Sequence, residues 1–241
     1  MSEYKYALVT GCDHGVGLSL VKELLNREYF VIACRLDSHE KQVDELYNAN
    51  HSKMAVLELD ISSDDSVSNM AQQVHRLVPY IDILINNAGI LGDMTKVLGD
   101  DLDFEEIQRV INVNAVGTLR VTNALSELIM KSEGKTIVNI SSEAGSIEQC
   151  FREGWFGYGM SKAANNMQSA LVHNNIRGEG GRVIAMHPGH VATYMRGHLD
   201  TTASIDADTS AQGILRVVLD TELPVNDRPL YLNYKGDSLK W

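Results

Sequence analysis

Short apolar runs rich in valine and isoleucine alternate along this chain with longer amphipathic stretches. Six of the runs are predicted to be buried strands, at residues 6–10, 30–34, 54–60, 81–87, 135–141 and 182–188. Helical spacing of apolar residues predicts helices at residues 16–28, 64–78, 104–132 and 158–178. Strands that are apolar on both faces are typical of a parallel sheet covered by helices. The alternation therefore predicts an α/β fold with helices on both faces of one parallel sheet.

Right-handed crossovers restrict this repetition to a doubly wound (Rossmann) sheet of about seven strands. We expect the strand order 3-2-1-4-5-6, with an edge strand near residues 228–234. The chain has 241 residues and neither a linker nor a repeated unit, so a single domain over residues 1–241 is predicted. Residues 189–210 have the weakest pattern for regular structure and follow the sixth strand. Ligands bind at that edge of such sheets, so we expect a substrate loop there, with an ordinary surface loop as the alternative.

Composition argues against several classes of partner. A formal net charge of −11 disfavours nucleic acid or an anionic membrane as the main partner. No apolar run reaches the roughly 20 residues of a membrane span, and no secretory signal is visible. Three cysteines without CxxC spacing suit reduced thiols rather than a disulfide framework, and no histidine or cysteine cluster has metal spacing. We expect a cytoplasmic protein that acts on a small molecule without a metal.

The first predicted strand runs directly into the sequence TGCDHGVG, residues 10–17. Gly11, Gly15 and Gly17 therefore follow a buried strand and open a helix. One glycine permits a tight turn, and another lets the backbone approach a pyrophosphate. The N-terminus of the helix supplies N–H groups to the anion. This context predicts a dinucleotide site; a close strand–helix packing turn is the alternative.

Tyr158 and Lys162 lie four residues apart in the last predicted helix, so both side chains can face one site. The pKa of free tyrosine is about 10, and a nearby ammonium group lowers it by stabilising the phenolate. Such a pair can donate a proton to the oxygen of a carbonyl that is being reduced. The same spacing also occurs by chance in many helices, so the rest of the chain decides its meaning.

The GxxxGxG spacing of the glycine loop resembles that of the short-chain dehydrogenase/reductase family. Further family motifs follow in order: NNAG at 86–89, Asn114 in NVNAVG, ISSEAG at 140–145, YGMSK at 158–162 and HPGHVAT at 187–193. Together these matches span almost the whole chain. The resemblance implies a single-domain oxidoreductase that transfers hydride between a nicotinamide cofactor and an aldehyde, ketone or alcohol.

The resemblance also implies a role for individual residues. Tyr158 is implied to be the general acid/base, and Lys162 to lower its pKa and hold the nicotinamide ribose. Ser142 is implied to polarise the substrate oxygen, with Ser141 as the alternative serine, and Asn114 to hold a water that links Lys162 to solvent. The residues implied to contact the cofactor are Gly11, Asp13, His14, Gly15, Val16, Gly17, Asp60, Ile61, Asn87, Ala88, Gly89, Tyr158, Lys162, Pro188, Gly189, Val191 and Thr193.

The end of the second strand indicates which nicotinamide cofactor is preferred. Cys34 stands where family members that use NAD usually carry Asp. Arg35 comes next, and its guanidinium can pair with the 2′-phosphate of NADP through two hydrogen bonds. His14 stands where NADP-using members often have Arg or Lys, whereas Asp37 opposes phosphate binding. We therefore predict NADP(H), with NAD(H) as the alternative.

Phe151, Trp155 and Phe156 precede the Tyr–Lys pair and are predicted to form an aromatic wall beside the substrate. For Trp155 and Phe156, packing against a neighbouring subunit is the alternative. The final residues, RPLYLNYKGDSLKW, resemble the group of sniffer-type carbonyl reductases and C-factor-like proteins. Two function classes stay open: an NADPH-dependent carbonyl reductase, and a cofactor-binding protein that acts in signalling. The resemblance further implies a homodimer or homotetramer built on the helices at 104–132 and 158–178.

Overall fold

Seven strands form one parallel sheet in a computed structural model that describes residues 4–195, 197–223 and 225–241. The strands are β1 (Lys5–Thr10), β2 (Tyr29–Arg35), β3 (Met54–Glu58), β4 (Ile83–Asn86), β5 (Thr136–Ile140), β6 (Arg182–His187) and β7 (Leu230–Asn233). Their order across the sheet is β3-β2-β1-β4-β5-β6-β7, and every neighbouring pair is parallel. The doubly wound sheet predicted from the sequence, with its edge strand, is confirmed.

The helices connect these strands by crossovers on both faces of the sheet. They are α1 (Gly15–Asn26), α2 (Lys41–Asn50), α3 (Asp64–Leu77), α4 (Phe104–Ile111), α5 (Thr118–Met130), α6 (Phe156–Ile176) and α7 (Ala207–Asp220). The single helix predicted at 104–132 is interrupted, since a π-helical segment, Asn112–Gly117, joins α4 to α5. Among the described residues, no helix is long and apolar enough to cross a membrane.

The sequence pattern did not predict α2 or α7. Only Val43 of α2 is buried, so this helix lacks the apolar stripe on which such a prediction depends. The first turn of α7 falls inside the segment predicted to be irregular, 189–210. Its signal was present, because the side chain of Asp206 accepts a hydrogen bond from the N–H of Thr209 and caps the helix. The irregular part of that segment therefore ends before α7.

Two apolar layers cover the sheet, one on each face. Successive residues of a strand point to opposite faces, so Val9 packs among residues of α1 and α7 whereas its neighbour Leu8 packs among residues of α3 and α5. Both side chains are fully buried, and each burial stabilises the fold by roughly 1.5–3 kcal/mol. This packing fixes the carboxyl edge of the sheet, where the loops that carry the predicted site begin.

Candidate active site

Ser142 and Tyr158 meet just beyond the carboxyl end of β5. Ser142 follows the strand and caps a short 3-10 helix, Glu143–Gly145, by accepting a hydrogen bond of 3.2 Å from the N–H of Ala144. The Tyr158 side chain comes from the first turn of α6 and shares a hydrogen bond with that of Ser142. Burial raises the pKa of Tyr158 to about 12, while this hydrogen bond and the positive charge of Arg152 lower it. The two hydroxyl groups are thus close enough to contact one oxygen atom.

Lys162 lies one helical turn after Tyr158 and is equally buried. Its ammonium group donates a hydrogen bond of 2.8 Å to the carbonyl oxygen of Ile140, and its nitrogen is 5.5 Å from the centre of the Tyr158 ring. Burial lowers the pKa of Lys162 to about 8. The lysine is therefore close enough to stabilise a phenolate, and its expected lowering of the pKa of Tyr158 stays a prediction.

Ser141 points away from this pair. Its hydroxyl donates a hydrogen bond of 2.6 Å to the side-chain oxygen of Asn166, and the residue is buried. Adjacent residues in an extended chain face opposite sides, so only one of the two serines can meet Tyr158. Ser142 is the one on that side.

Asn114 lies inside the π-helical segment, where its side chain joins a loop to α6. The amide nitrogen donates to the carbonyl oxygen of Ile90 at 2.8 Å and to the hydroxyl of Ser161 at 2.9 Å. Its side-chain oxygen accepts from the N–H of Ile90, and its main-chain oxygen accepts from the side chain of Asn165. π-helical turns inside α-helices are frequent at functional sites. The water expected at Asn114 stays a prediction.

The glycine loop packs directly on the end of β4. Gly11 has a φ of +68°, and a Cβ atom there would lie 2.7 Å from the Cα atom of Ala88. A Cβ atom on Gly17 would overlap the carbonyl oxygen of Gly11. The side chain of Asn87 donates to the carbonyl oxygens of Thr10 and Gly11, at 3.0 and 2.9 Å. The loop is thus a bare backbone cradle that only glycine can form.

The N-terminus of α1 opens this cradle toward solvent. The capping residue, His14, makes no side-chain hydrogen bond to the helix, and the first turn carries no acidic residue. In contrast, α3 and α4 are capped by the side chains of Ser63 and Asp103. Uncapped N–H groups and the positive end of the helix dipole suit an anion such as a pyrophosphate. The cradle therefore fits a dinucleotide. Val16, the next residue predicted to contact the cofactor, packs partly buried against the core.

Arg35 and Asp13 lie where the second strand meets the glycine loop. The guanidinium of Arg35 pairs with Asp44 of α2 at 2.8 Å, and its Nε atom is buried without a partner. The carboxylate of Asp13 accepts hydrogen bonds from the N–H groups of Leu36 and Asp37, at 3.0 and 2.6 Å. One cation and two acids therefore surround the expected ribose position.

Asp60 and Ile61 follow β3 at the same edge. One carboxylate oxygen of Asp60 accepts from both the N–H and the hydroxyl of Ser62, at 2.8 and 2.7 Å. Ile61 is buried, and its carbonyl oxygen touches Gly117 of the π-helical segment. Among the described residues, the second carboxylate oxygen of Asp60 has no hydrogen bond of this kind, and the contact of Asp60 with the cofactor stays a prediction.

Gly89 lies between the cradle and the Tyr158–Lys162 pair. A Cβ atom at Gly89 would be 3.0 Å from the side-chain oxygen of Asn114 and 3.8 Å from the nitrogen of Lys162. On the other side of the cradle, the methyl group of Thr193 would be 3.2 Å from a Cβ atom on Gly15. The fold therefore brings the glycine loop, the end of β4 and the segment after β6 together.

The segment after β6 folds back on itself before α7. The hydroxyl of Ser210 donates a hydrogen bond of 2.7 Å to the carbonyl oxygen of Pro188, and Gly189 has a φ of +90°. Val191 forms an isolated β-bridge with Ile205. The described parts of this segment, residues 188–195 and 197–206, have the compact hydrogen bonding of an ordered loop rather than an extended linker. Its role as a substrate loop stays a prediction.

The three aromatic residues predicted to form one wall occupy different places. Trp155 meets the Tyr158 ring edge-on, with ring centres 6.1 Å apart. Phe151 is exposed and lies on the far side of Arg152, whose guanidinium is 4.6 Å from the Phe151 ring and 4.8 Å from the Trp155 ring. Phe156 lines a small cavity against α4. Only Trp155 directly adjoins the candidate proton donor.

Comparison with known proteins identifies the family. The family model described as short chain dehydrogenase matches residues 5–204. The chain belongs to this family. An uncharacterized oxidoreductase of Schizosaccharomyces pombe is 33% identical over 252 aligned positions, which cover 98% of each chain. The prediction of a short-chain dehydrogenase/reductase is therefore confirmed.

Solved structures place this short-chain dehydrogenase near carbonyl reductases. Carbonyl reductase Sniffer of D. melanogaster is 25% identical and has a TM-score of 0.90, with 99% of this chain and 100% of Sniffer covered. An NADPH-bound carbonyl reductase from chicken fatty liver is 28% identical and has a TM-score of 0.87, with 100% and 96% covered. The predicted resemblance to sniffer-type proteins is borne out.

Several residues that shape the site of this short-chain dehydrogenase were not predicted. The hydroxyl of Thr10 accepts hydrogen bonds from the N–H groups of Asn87 and Ala88 and so ties β1 to β4. Arg152 forms an ion pair of 2.7 Å with Glu143, which is the residue directly after Ser142. Thr10 is the first residue of the motif TGCDHGVG, so the sequence offered a signal for it. Arg152 had no such signal, because its importance comes only from the rings on either side of it.

Proposed function

We propose that this short-chain dehydrogenase is an NADP(H)-dependent reductase of aldehydes or ketones. The observation that carries the proposal is the grouping of Ser142, Tyr158 and Lys162 beside a glycine cradle that fits a dinucleotide. The similarity of the whole chain to an NADPH-bound carbonyl reductase supports both the choice of cofactor and the choice of a carbonyl substrate. A cofactor-binding signalling protein has less support, because binding alone does not require a buried proton donor with a neighbouring lysine.

The chain's residues would divide the work of carbonyl reduction. When bound, the nicotinamide cofactor supplies the hydride that the carbonyl carbon accepts. Tyr158 donates its proton to the carbonyl oxygen, so that the product is an alcohol. Ser142 hydrogen-bonds the same oxygen and stabilises its developing negative charge. The ammonium group of Lys162 stabilises the phenolate that Tyr158 becomes. The reverse sequence describes oxidation of an alcohol.

Four residues bear on the preference for NADPH over NADH. Arg35 would supply the positive charge for the 2′-phosphate, and Cys34, buried and uncharged, leaves no acid on the strand to repel it. Asp44 now holds the Arg35 guanidinium and is itself half exposed, so it can release Arg35 to a phosphate. His14 lies exposed at the opening of the cradle and would be a second contact.

The proposal is tested by turnover with both cofactors on a panel of activated carbonyls, such as diketones and quinones. We expect oxidation of NADPH to be faster than that of NADH with at least one compound. Equal use of NADH would overturn the preference while leaving the reductase in place. Binding of NADPH without turnover of any compound would favour the signalling alternative instead.

A homo-oligomer built on the long helices is part of the proposal. Large apolar side chains are exposed along α4, the π-helical segment, α5 and α6: Phe104, Val116, Leu119, Met160, Met167 and Leu171. Apolar side chains so distributed are typical of a surface that a second subunit covers. Sedimentation of the wild type and of Leu171→Asp tests this, since the variant is expected to shift toward a smaller species. A monomeric wild type would overturn it.

A cytoplasmic location completes the proposal. Cys12, Cys34 and Cys150 are all free thiols, of which the first two are buried. Free thiols without pairing suit a reducing compartment. Fractionation of cells that express the tagged chain tests the location.

A further inference from the structure

The last residues of the chain, RPLYLNYKGDSLKW, have no part in the proposed mechanism, yet they reach the site. After β7 the chain reverses at Gly236, whose φ is +99°, and Ser238 forms an antiparallel bridge with Leu232. The N–H of Leu239 then donates to the carbonyl oxygen of Tyr231 at 2.8 Å. This hairpin, residues 230–241, brings the ring of Trp241 onto that of Tyr231, with ring centres 4.9 Å apart.

The hydroxyl of Tyr231 is buried directly beneath the candidate catalytic serine. It donates a hydrogen bond of 2.5 Å to the main-chain carbonyl oxygen of Ser142, and it also hydrogen-bonds the side chains of Ser141 and Asn166. The Ser142 carbonyl oxygen accepts a second hydrogen bond, of 2.9 Å, from the N–H of Gly145. Both of its lone pairs are therefore used, one by a local partner and one by β7.

Trp241 holds the segment that follows Ser142. Its carbonyl oxygen accepts a hydrogen bond of 3.1 Å from the N–H of Glu148 and one of 3.4 Å from the hydroxyl of Ser146. The neighbouring Lys240 pairs with the carboxylate of Glu148 at 2.5 Å. The hairpin thus contacts the loop after β5 at Ser142 and again at residues 146–148. Two separated anchors restrict rotation of the chain between them.

We propose that Tyr231 and Trp241 are positioning residues that orient Ser142 toward Tyr158. The proposal rests on the proposed function, because it gives Ser142 the task of binding the substrate oxygen. The peptide plane of Ser142 is held by the Tyr231 hydroxyl, and the Tyr231 ring is held by Trp241. A serine displaced by a fraction of an ångström donates poorly to a developing oxyanion, so catalysis depends on this support.

Tyr231→Phe is the sharpest test, since it removes one oxygen atom and keeps the ring on Trp241. We expect kcat for carbonyl reduction to fall about tenfold, the usual order for loss of a hydrogen bond such as the one that supports the Ser142 carbonyl, with the KM for NADPH unchanged. Tyr29→Phe is the matched control, because Tyr29 is a buried tyrosine on β2, distant from Ser142 along the sheet. An equal fall of kcat in both variants, or an unchanged kcat in Tyr231→Phe, would overturn the proposal.

Trp241→Ala and Trp241→Phe separate ring support from general stability. We expect the alanine variant to lower kcat as Tyr231→Phe does, and the phenylalanine variant to restore most of it by keeping an aromatic ring on Tyr231. Failure of Phe to rescue would remove Trp241 from the proposal.

Amide hydrogen exchange of residues 141–148 provides a readout that does not need turnover. We expect faster exchange there in Tyr231→Phe and in Trp241→Ala than in the wild type or in Tyr29→Phe. If the wild type reduces no carbonyl, the proposed function fails, and exchange alone still decides whether the hairpin holds this loop. Unchanged exchange would overturn the positioning role even in an active enzyme.

Discussion

The two halves of the candidate site are built in different ways. On the side of β1 to β3, the glycine cradle is made mostly of main-chain atoms, and its key residues lie close together in the sequence. On the side of β5 to β7, the proposed catalytic groups are side chains that follow β5 or lie on α6, and the final hairpin supports Ser142. An atom added to a cradle of main-chain atoms causes steric overlap. A site made of side chains instead loses its chemistry when a functional group is removed. The two halves should therefore fail differently when they are changed.

Gly89 and Asn114 join these two halves. Gly89 lies against Asn114 and near Lys162, while its neighbours Asn87 and Ala88 bond to Thr10 at the cradle. The residues at the end of β4 thus belong to both halves of the site. NNAG carries no side chain capable of acid–base chemistry, and it packs closely between the cradle and the proposed catalytic groups.

Removing the proton donor should have the largest effect. Tyr158→Phe is expected to reduce kcat for carbonyl reduction by about 10²–10⁴-fold, the usual contribution of a general acid. The affinity for NADPH, measured by fluorescence titration, should change little, because the cradle is untouched. Retained turnover in Tyr158→Phe would show that Tyr158 is not the proton donor, and it would contradict the proposed difference between the two halves.

Adding one methyl group to the cradle should have the next largest effect, on NADPH binding and on stability. In Gly17→Ala, the new Cβ atom would overlap the carbonyl oxygen of Gly11, so the loop must shift. We expect NADPH binding to weaken at least tenfold and the free energy of unfolding to fall by roughly 1–3 kcal/mol, as for overpacking. Gly178→Ala is the matched control, because nothing lies within 4 Å of a Cβ atom there. Equal behaviour of the two variants would contradict the cradle.

Arg35 should separate the two cofactors without affecting chemistry. Arg35→Ala is expected to raise the KM for NADPH about tenfold or more, the order expected for a lost charge-assisted hydrogen bond. The KM for NADH should be nearly unchanged. Asp44→Asn removes the present partner of Arg35 and should leave the NADPH preference intact or increase it. A parallel rise for both cofactors in Arg35→Ala would show a structural role instead.

The pH dependence of kcat should report Lys162 and have the smallest effect. Burial lowers the pKa of Lys162 to about 8, so its ammonium group is present below that pH and lost above it. Burial raises the pKa of Tyr158 to about 12, so the tyrosine keeps its proton throughout this range. We therefore expect kcat for reduction to decline as pH rises through about 8, at saturating NADPH. A flat profile up to about pH 10 would contradict the role of Lys162.

Much of the fold and part of the site followed from local patterns. Apolar runs predicted six of the seven strands, since a parallel strand buried on both faces leaves a continuous apolar run, and the seventh was expected as an edge strand near residues 228–234. The same logic failed for α2, whose single buried residue leaves no stripe. The Tyr158–Lys162 pair was visible because a helix brings residues four apart onto one face.

The sequence by itself determined the strands and part of the helices, where the bare glycine loop lies and which tyrosine has a lysine one turn away, because each of these depends on neighbours within a few positions. Only the tertiary structure decided that Ser142 rather than Ser141 faces Tyr158, that Arg35 is held by Asp44, and that Tyr231 supports the Ser142 carbonyl. The last contact joins residues 89 positions apart. No local spacing encodes such a meeting, because it exists only once β5, β6 and β7 lie side by side.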